Sequence, residues 1–156
     1  IGADWAAKIA ETTWKVGGNT WANIGTQPAK TAYQNEVVQP ATDKYSTETE
    51  CRAKIGLMYA SDYGFAAAPS AWTTGLSSYN GEAIKNVNWM YMGLYEWTIS
   101  RTADSSNGAF TVNGAGNVYR LSMGYNDFGT RPVFNLTSSV TYVEGDGTKN
   151  LPIRID

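Results

Sequence analysis

The stretch from residue 95 to residue 123 constrains the fold more than any other. Tyr95-Glu96-Trp97-Thr98-Ile99-Ser100 alternates strictly between apolar and polar side chains. Successive side chains of a strand point to opposite faces, so Tyr95, Trp97 and Ile99 share one face and Glu96, Thr98 and Ser100 the other. A polar turn over 101–108 follows. Phe110 and Val112 then lead into Asn113-Gly114-Ala115-Gly116-Asn117, a glycine-rich hairpin signal, and Tyr119, Leu121 and Met123 form the returning face. The second half of the chain is therefore predicted to be almost all antiparallel sheet.

The first half reads differently. Trp5, Ile9 and Thr12/Thr13 fall at helical spacing, predicting an amphipathic helix over 3–14 that Gly17-Gly18-Asn19 stops. A second helix is predicted from Ala29 to Val38, and 42–50 as a polar loop. Ile55, Leu57 and Tyr59 alternate with Gly56, Met58 and Ala60, a strand covered on both faces. Ser61-Asp62 then offers an N-cap for a turn or short helix through Tyr63-Gly64-Phe65. Tyr59, Tyr63 and Phe65 are expected to serve the core, as are Trp89 and Trp97. Residues 69–81 read as loop, and 124–129 as a loop carrying exposed aromatics. Residues 130–136 read as a late core strand, with Arg131 pinning a neighbouring loop. Val140-Thr141-Tyr142-Val143 and Leu151-Pro152-Ile153-Arg154-Ile155 flank an Asp146-Gly147 turn as a final hairpin. Helices first and short strands later make an α+β domain.

Composition removes several functions. The 156 residues suit one domain and contain no histidine and one cysteine, Cys51. Without imidazole, Ser-His-Asp and Cys-His nucleophile activation are excluded, and so is a tetrahedral zinc site. No internal disulfide can form. Catalysis by a carboxylate pair has candidates in Asp62, Glu82, Glu96 and Asp127, but sequence spacing does not show any two of them facing each other. Glu144-Gly145-Asp146-Gly147-Thr148 lacks the acidic ladder of a calcium loop. The expectation is thus no catalytic residue, no metal and no cofactor. A net charge of −2 without a cationic run argues against a nucleic-acid partner, and no apolar run is long enough to insert into a membrane. Charged residues are only 17% while six Trp and ten Tyr are present, a balance that suits an extracellular surface built for glycan or protein contact. Asn135-Leu136-Thr137 matches a glycosylation sequon within an apparent core strand and is read as coincidence.

Five ordered segments carry a resemblance. Lys54-Ile55-Gly56-Leu57-Met58-Tyr59 with Ser61-Asp62-Tyr63-Gly64, then Asn88-Trp89-Met90-Tyr91, Tyr95-Glu96-Trp97-Thr98-Ile99-Ser100, Arg131-Pro132-Val133-Phe134-Asn135-Leu136 and Gly145-Asp146-Gly147-Thr148 resemble a group of uncharacterised surface proteins of gut Firmicutes. That group is similar to C-type-lectin-like domains. The resemblance spans roughly residues 5–156. It implies one C-type-lectin-like domain over 1–156, with two short helices in the first half and twisted antiparallel sheets with long loops in the second. The formylglycine-generating (sulfatase-modifying) family is a relative of that fold, but its chemistry uses a pair of cysteines, so the likeness carries fold and not activity. Thr13-Trp14-Lys15-Val16-Gly17-Gly18 also resembles pilin-like members, which implies that 1–18 is the remnant of an N-terminal filament or anchor helix, with Ile1 following a removed segment.

Two functions follow as expectations. One is a non-catalytic, cell-surface recognition or adhesion domain that binds a glycan or protein ligand through late loops. Its site residues are Tyr119, Arg120, Tyr125, Asn126, Asp127 and Phe128, because aromatics beside amide and acid groups suit sugar stacking and hydrogen bonding. The other is a pilin-type filament subunit that self-associates through its amphipathic start.

Overall fold

A computed structural model describes residues 2–45, 47–125 and 127–156. In chain order the elements are α1 (Ala3–Lys8), β1 (Thr12–Lys15), α2 (Trp21–Ile24), α3 (Ala29–Tyr33), β2 (Glu50–Ala53), β3 (Gly56–Leu57), α4 (Ala60–Phe65), α5 (Glu82–Lys85), β4 (Glu96–Arg101), β5 (Gly108–Val112), β6 (Val118–Ser122), β7 (Gly129–Thr130), β8 (Pro132–Val133), β9 (Tyr142–Glu144) and β10 (Arg154–Ile155). The class is α+β, with short helices and mostly antiparallel sheets. The central sheet has the order β6-β5-β4-β7. Its first three strands form the antiparallel meander that the alternation and the 113–117 turn predict. The second half is almost all antiparallel, as expected, with one parallel edge: β7 runs alongside β4, Glu96 opposite Gly129.

Several sequence expectations change for identifiable reasons. The first helix ends at Lys8 and does not continue to residue 14. Ile9 turns extended and is buried, pairing with Leu136, while Ala10 N–H donates to the Asn135 carbonyl at 2.9 Å. Thr12–Lys15 then forms a strand with Glu50–Ala53, which was predicted as neither helix nor strand partner. Helical spacing of Trp5 and Ile9 could not compete with backbone pairing to a segment far along the chain. The strand at 55–60 shortens to Gly56–Leu57, paired with β8. The cap of α4 is Tyr59, two residues before Ser61; Asp62 instead reaches back to accept the Tyr59 N–H at 2.9 Å. The late strand at 130–136 breaks into β7 and β8, which lie at the surface with only Val133 half-buried against the core. The second helix keeps its predicted bounds, α3 widening into a π-type turn over Gln34–Val38. The final hairpin forms as expected, β9 against β10.

The core lies between α3, α4 and the inner face of the central sheet, around Met58, Tyr63, Leu76, Tyr79, Phe110 and Val118. Its tyrosines carry their hydroxyls to backbone carbonyls. Tyr63 donates to Gly116 at 3.0 Å, Tyr91 to Gly114 at 3.0 Å, and Tyr79 to Gly64 and Ala71, each at 3.1 Å. Two of these pegs hold the β5–β6 turn. Gly116 has φ +96°, a conformation that side chains rarely adopt, and an added Cβ would lie 3.3 Å from the Tyr63 hydroxyl oxygen. Tyr63→Phe is expected to leave the Gly116 carbonyl unpaired and to cost about 1–2 kcal/mol in urea unfolding.

A polar seam runs through this core. The widened turn after α3 sets Glu36 fully inside the protein. Its Oε1 accepts from Ser100 Oγ at 2.6 Å and from Asn19 Nδ2 at 3.4 Å, and its Oε2 accepts from the Ser61 N–H at 3.2 Å. Ser100 Oγ in turn accepts from the Ala60 N–H at 3.0 Å, and Asn19 Oδ1 accepts from Gln27 Nε2 and Asn35 Nδ2. Asn19 gets there because the chain passes within touching distance of β4. A Cβ on Gly18 would lie 1.8 Å from the Arg101 carbonyl oxygen, so Gly17-Gly18 permits close approach and does not stop a helix.

Candidate functional site: an aromatic cleft on the outer sheet face

The strict alternation of β4 separates two faces, with the polar side chains turned inward. Glu96, Thr98 and Ser100 are buried, while Tyr95 is exposed and Trp97 and Ile99 are half-buried. Each inward polar group has a partner. Glu96 pairs with Arg131, Thr98 Oγ1 donates to the Phe110 carbonyl at 2.8 Å, and Ser100 binds Glu36. Trp97 is therefore not a core residue, contrary to the sequence expectation. Trp89 departs further, being 78% exposed. Tyr63 is buried as expected, whereas Tyr59 and Phe65 are half-buried.

The outward aromatic row gains a cover from the loop after β6. Phe128 lies over Tyr95, ring centroids 4.8 Å apart, and over Trp97 at 5.2 Å. Tyr125 stacks on Phe128 at 5.9 Å with ring planes 11° apart. From the other side, Trp21 of α2 meets Tyr119 edge-on at 5.0 Å. Offset and edge-on contacts of this kind fix ring orientation while leaving faces open. Between them lies a cleft of about 490 Å³ lined by Tyr95, Asn113, Tyr119, Leu121, Tyr125 and Phe128. Asn113 is locked by its own turn, its Oδ1 accepting the Ala115 and Asn117 N–H groups at 3.0 Å each. Its amide NH₂ and the phenol groups are the polar handles of the cleft. A neighbouring lobe of about 470 Å³ shares Tyr95 and Phe128 and is walled by Leu94 and Asp127.

Of the site residues expected from sequence, Tyr119, Tyr125 and Phe128 line one cleft, and Asp127 lines the lobe beside it. Arg120 does not line the cleft; its guanidinium lies over the Trp21 ring, 5.5 Å from the centroid, at the sheet edge. Its register partner is the buried Phe110, so β6 turns it away from the face that bears Tyr119. Asn126 lies outside the described residues. Tyr95, Asn113 and Leu121 were not among the expected site residues. The alternation already placed Tyr95 with Trp97; the missing information was which face the core takes.

Arg131 is a pin, as the sequence suggested. Its Nε and one terminal nitrogen engage Glu96 at 3.2 and 2.7 Å, and the same terminal nitrogen holds the Met90 carbonyl at 2.8 Å. It ties β4, β7 and the loop at residue 90 together. Among the described residues no group of three or more acidic, His or Cys side chains gathers, and no helix is long and apolar enough to cross a membrane. The chain matches no family model, no curated protein and no solved structure.

Proposed function

We propose that this chain is a non-catalytic recognition domain of an extracellular cell surface, engaging a glycan or protein ligand through the aromatic cleft. The reading rests on one observation: four aromatic or phenolic side chains, Tyr95, Tyr119, Tyr125 and Phe128, converge on one open cleft outside the core. Rigid ring faces bury large area at small entropic cost, and the phenol and amide groups beside them supply direction. The scaffold reading that accompanies it is a C-type-lectin-like domain, similar to those of surface proteins of gut Firmicutes.

The experiment is a glycan and surface-protein array probed with the wild type and with Tyr125→Ala and Phe128→Ala. Each truncation is expected to weaken binding at least tenfold, about 1.4 kcal/mol. Both residues lie outside the core, so the thermal midpoint is expected to move little. Equal binding by wild type and both variants would overturn the reading.

A pilin-type filament subunit is the second reading, and α1 supports it. No residue of that helix is buried, and Trp5 stands about half exposed on it. Self-association through α1 would cover Trp5. Concentration-dependent sedimentation that Trp5→Ser abolishes is the expected outcome of this reading; a monomer at all concentrations would sink it.

A further inference from the structure

A second pocket, of about 360 Å³, shares no wall residue with the aromatic cleft. Its walls are Met58, Phe65, Trp89, Met90 and Val133, and Asp62 is its one titratable side chain. Asp62 uses Oδ2 to accept the Tyr59 N–H and makes no ion pair among the described residues. Arg131, which bonds the Met90 carbonyl at this wall, is committed to Glu96. We propose that the pocket takes the side chain of a lysine or arginine presented by a partner protein.

The chemistry of the walls selects a basic side chain. Its methylene stem suits Met58, Phe65 and Met90, its cationic head suits the Asp62 carboxylate, and the open face of Trp89 adds a cation–π contact. Loss of hydration beside these walls holds the Asp62 carboxyl above the ordinary aspartate range, against the pull of the Tyr59 N–H. A cation brought to that carboxylate relieves the cost.

The surroundings select a macromolecule over a free amine. Val87, Trp89, Met92 and Leu94 are all more than half exposed along one stretch of loop, an apolar surface that a small amine would leave in water. Buried Asn88 donates to the Tyr63 carbonyl at 2.9 Å and accepts the Met90 N–H at 3.0 Å, so the backbone on either side of Trp89 is pinned where its side chain stands outward. A pre-positioned tryptophan beside a pocket with a charge at its mouth is the anatomy of an interface hot spot.

The test is an NMR titration of the whole chain, reading the Met58 and Met90 methyl signals and the Trp89 indole. The probes are the Nα-acetyl methylamides of lysine, arginine and norleucine, and five-residue peptides with each of these between leucines. Lysine and arginine are expected to bind at least tenfold more tightly than norleucine, and the peptides at least tenfold more tightly than the single residues. Asp62→Asn keeps an acceptor for the Tyr59 N–H and is expected to erase the preference over norleucine. Norleucine binding as well as lysine would overturn the proposal, whether or not the variant folds. Single amines binding as well as peptides would overturn the protein partner.

Discussion

Ionisation of Glu36 is expected to lower the unfolding free energy by about 3 kcal/mol as the pH rises from 4.5 to about 7. Burial pushes the carboxyl up from 4.5 to about 7; hydrogen bonds from Ser100 and Ser61 pull the other way, and the Asp62 charge adds a smaller upward push. Below pH 4.5 the carboxyl is protonated in both folded and unfolded chains, and the native state has its full stability. Above 4.5 the unfolded chain releases the proton while the folded chain keeps it, so stability falls. Near pH 7 the folded carboxyl ionises too, and the loss levels off. Each tenfold change in proton activity across that interval is worth about 1.4 kcal/mol, which gives the stated size. Urea unfolding of wild type and Glu36→Gln at pH 4.5, 6 and 8 isolates this group. The variant is expected to be flatter by about 3 kcal/mol over the interval. Parallel curves for the two proteins would show that burial does not raise the Glu36 carboxyl above its unfolded value.

Arg131→Met is expected to cost about 3 kcal/mol. Glu96 is 6% exposed and Arg131 24%, so removing the cation leaves a nearly buried carboxylate facing an apolar side chain. The double variant Glu96→Leu/Arg131→Met removes both charges and is expected to recover most of that loss. The lower end of the range for broken buried pairs applies because Arg131 keeps some contact with water. The effect should also be local. Backbone amides of β7 and β8 are expected to exchange faster in Arg131→Met, because the guanidinium ties these strands to β4 and to the Met90 carbonyl. Additive single and double variants, with no coupling, would mean that the pair does not hold the late segment.

Much of the architecture was legible because local chemistry decided it. The glycine-rich turn at 113–117 and the alternating residues on either side specify the β4–β5–β6 meander. The Asp146-Gly147 hairpin is specified in the same way, and α3 follows from its own spacing. The misreadings fall where distant backbone intervened. Ile9 leaves its helix to pair with Leu136, and Thr12–Lys15 becomes a strand because Glu50–Ala53 lies beside it. A short helix is too weak in water to resist such pairing.

The candidate site shows the same division. Tyr119, Tyr125 and Phe128 were legible as aromatics in a late loop and its neighbouring strand. Arg120 was read with them for its chemistry, although the alternation of Tyr119, Leu121 and Met123 puts it on the other face of β6. Trp89 was placed in the core because large aromatics usually bury; the Asn88 bonds instead set the backbone so that its side chain stands outward.

For β4, then, the sequence by itself determined that two faces exist and which residues share each. Tertiary structure alone decided which face is inside. Glu96, Thr98 and Ser100 could turn inward because Arg131, the Phe110 carbonyl and Glu36 meet them there. A buried polar group is tolerated when its hydrogen bonds are made, and those partners come from 12 to 64 residues away in the chain. Their arrival is what turned Tyr95 and Trp97 outward and gave the protein an aromatic cleft on the outer face of β4.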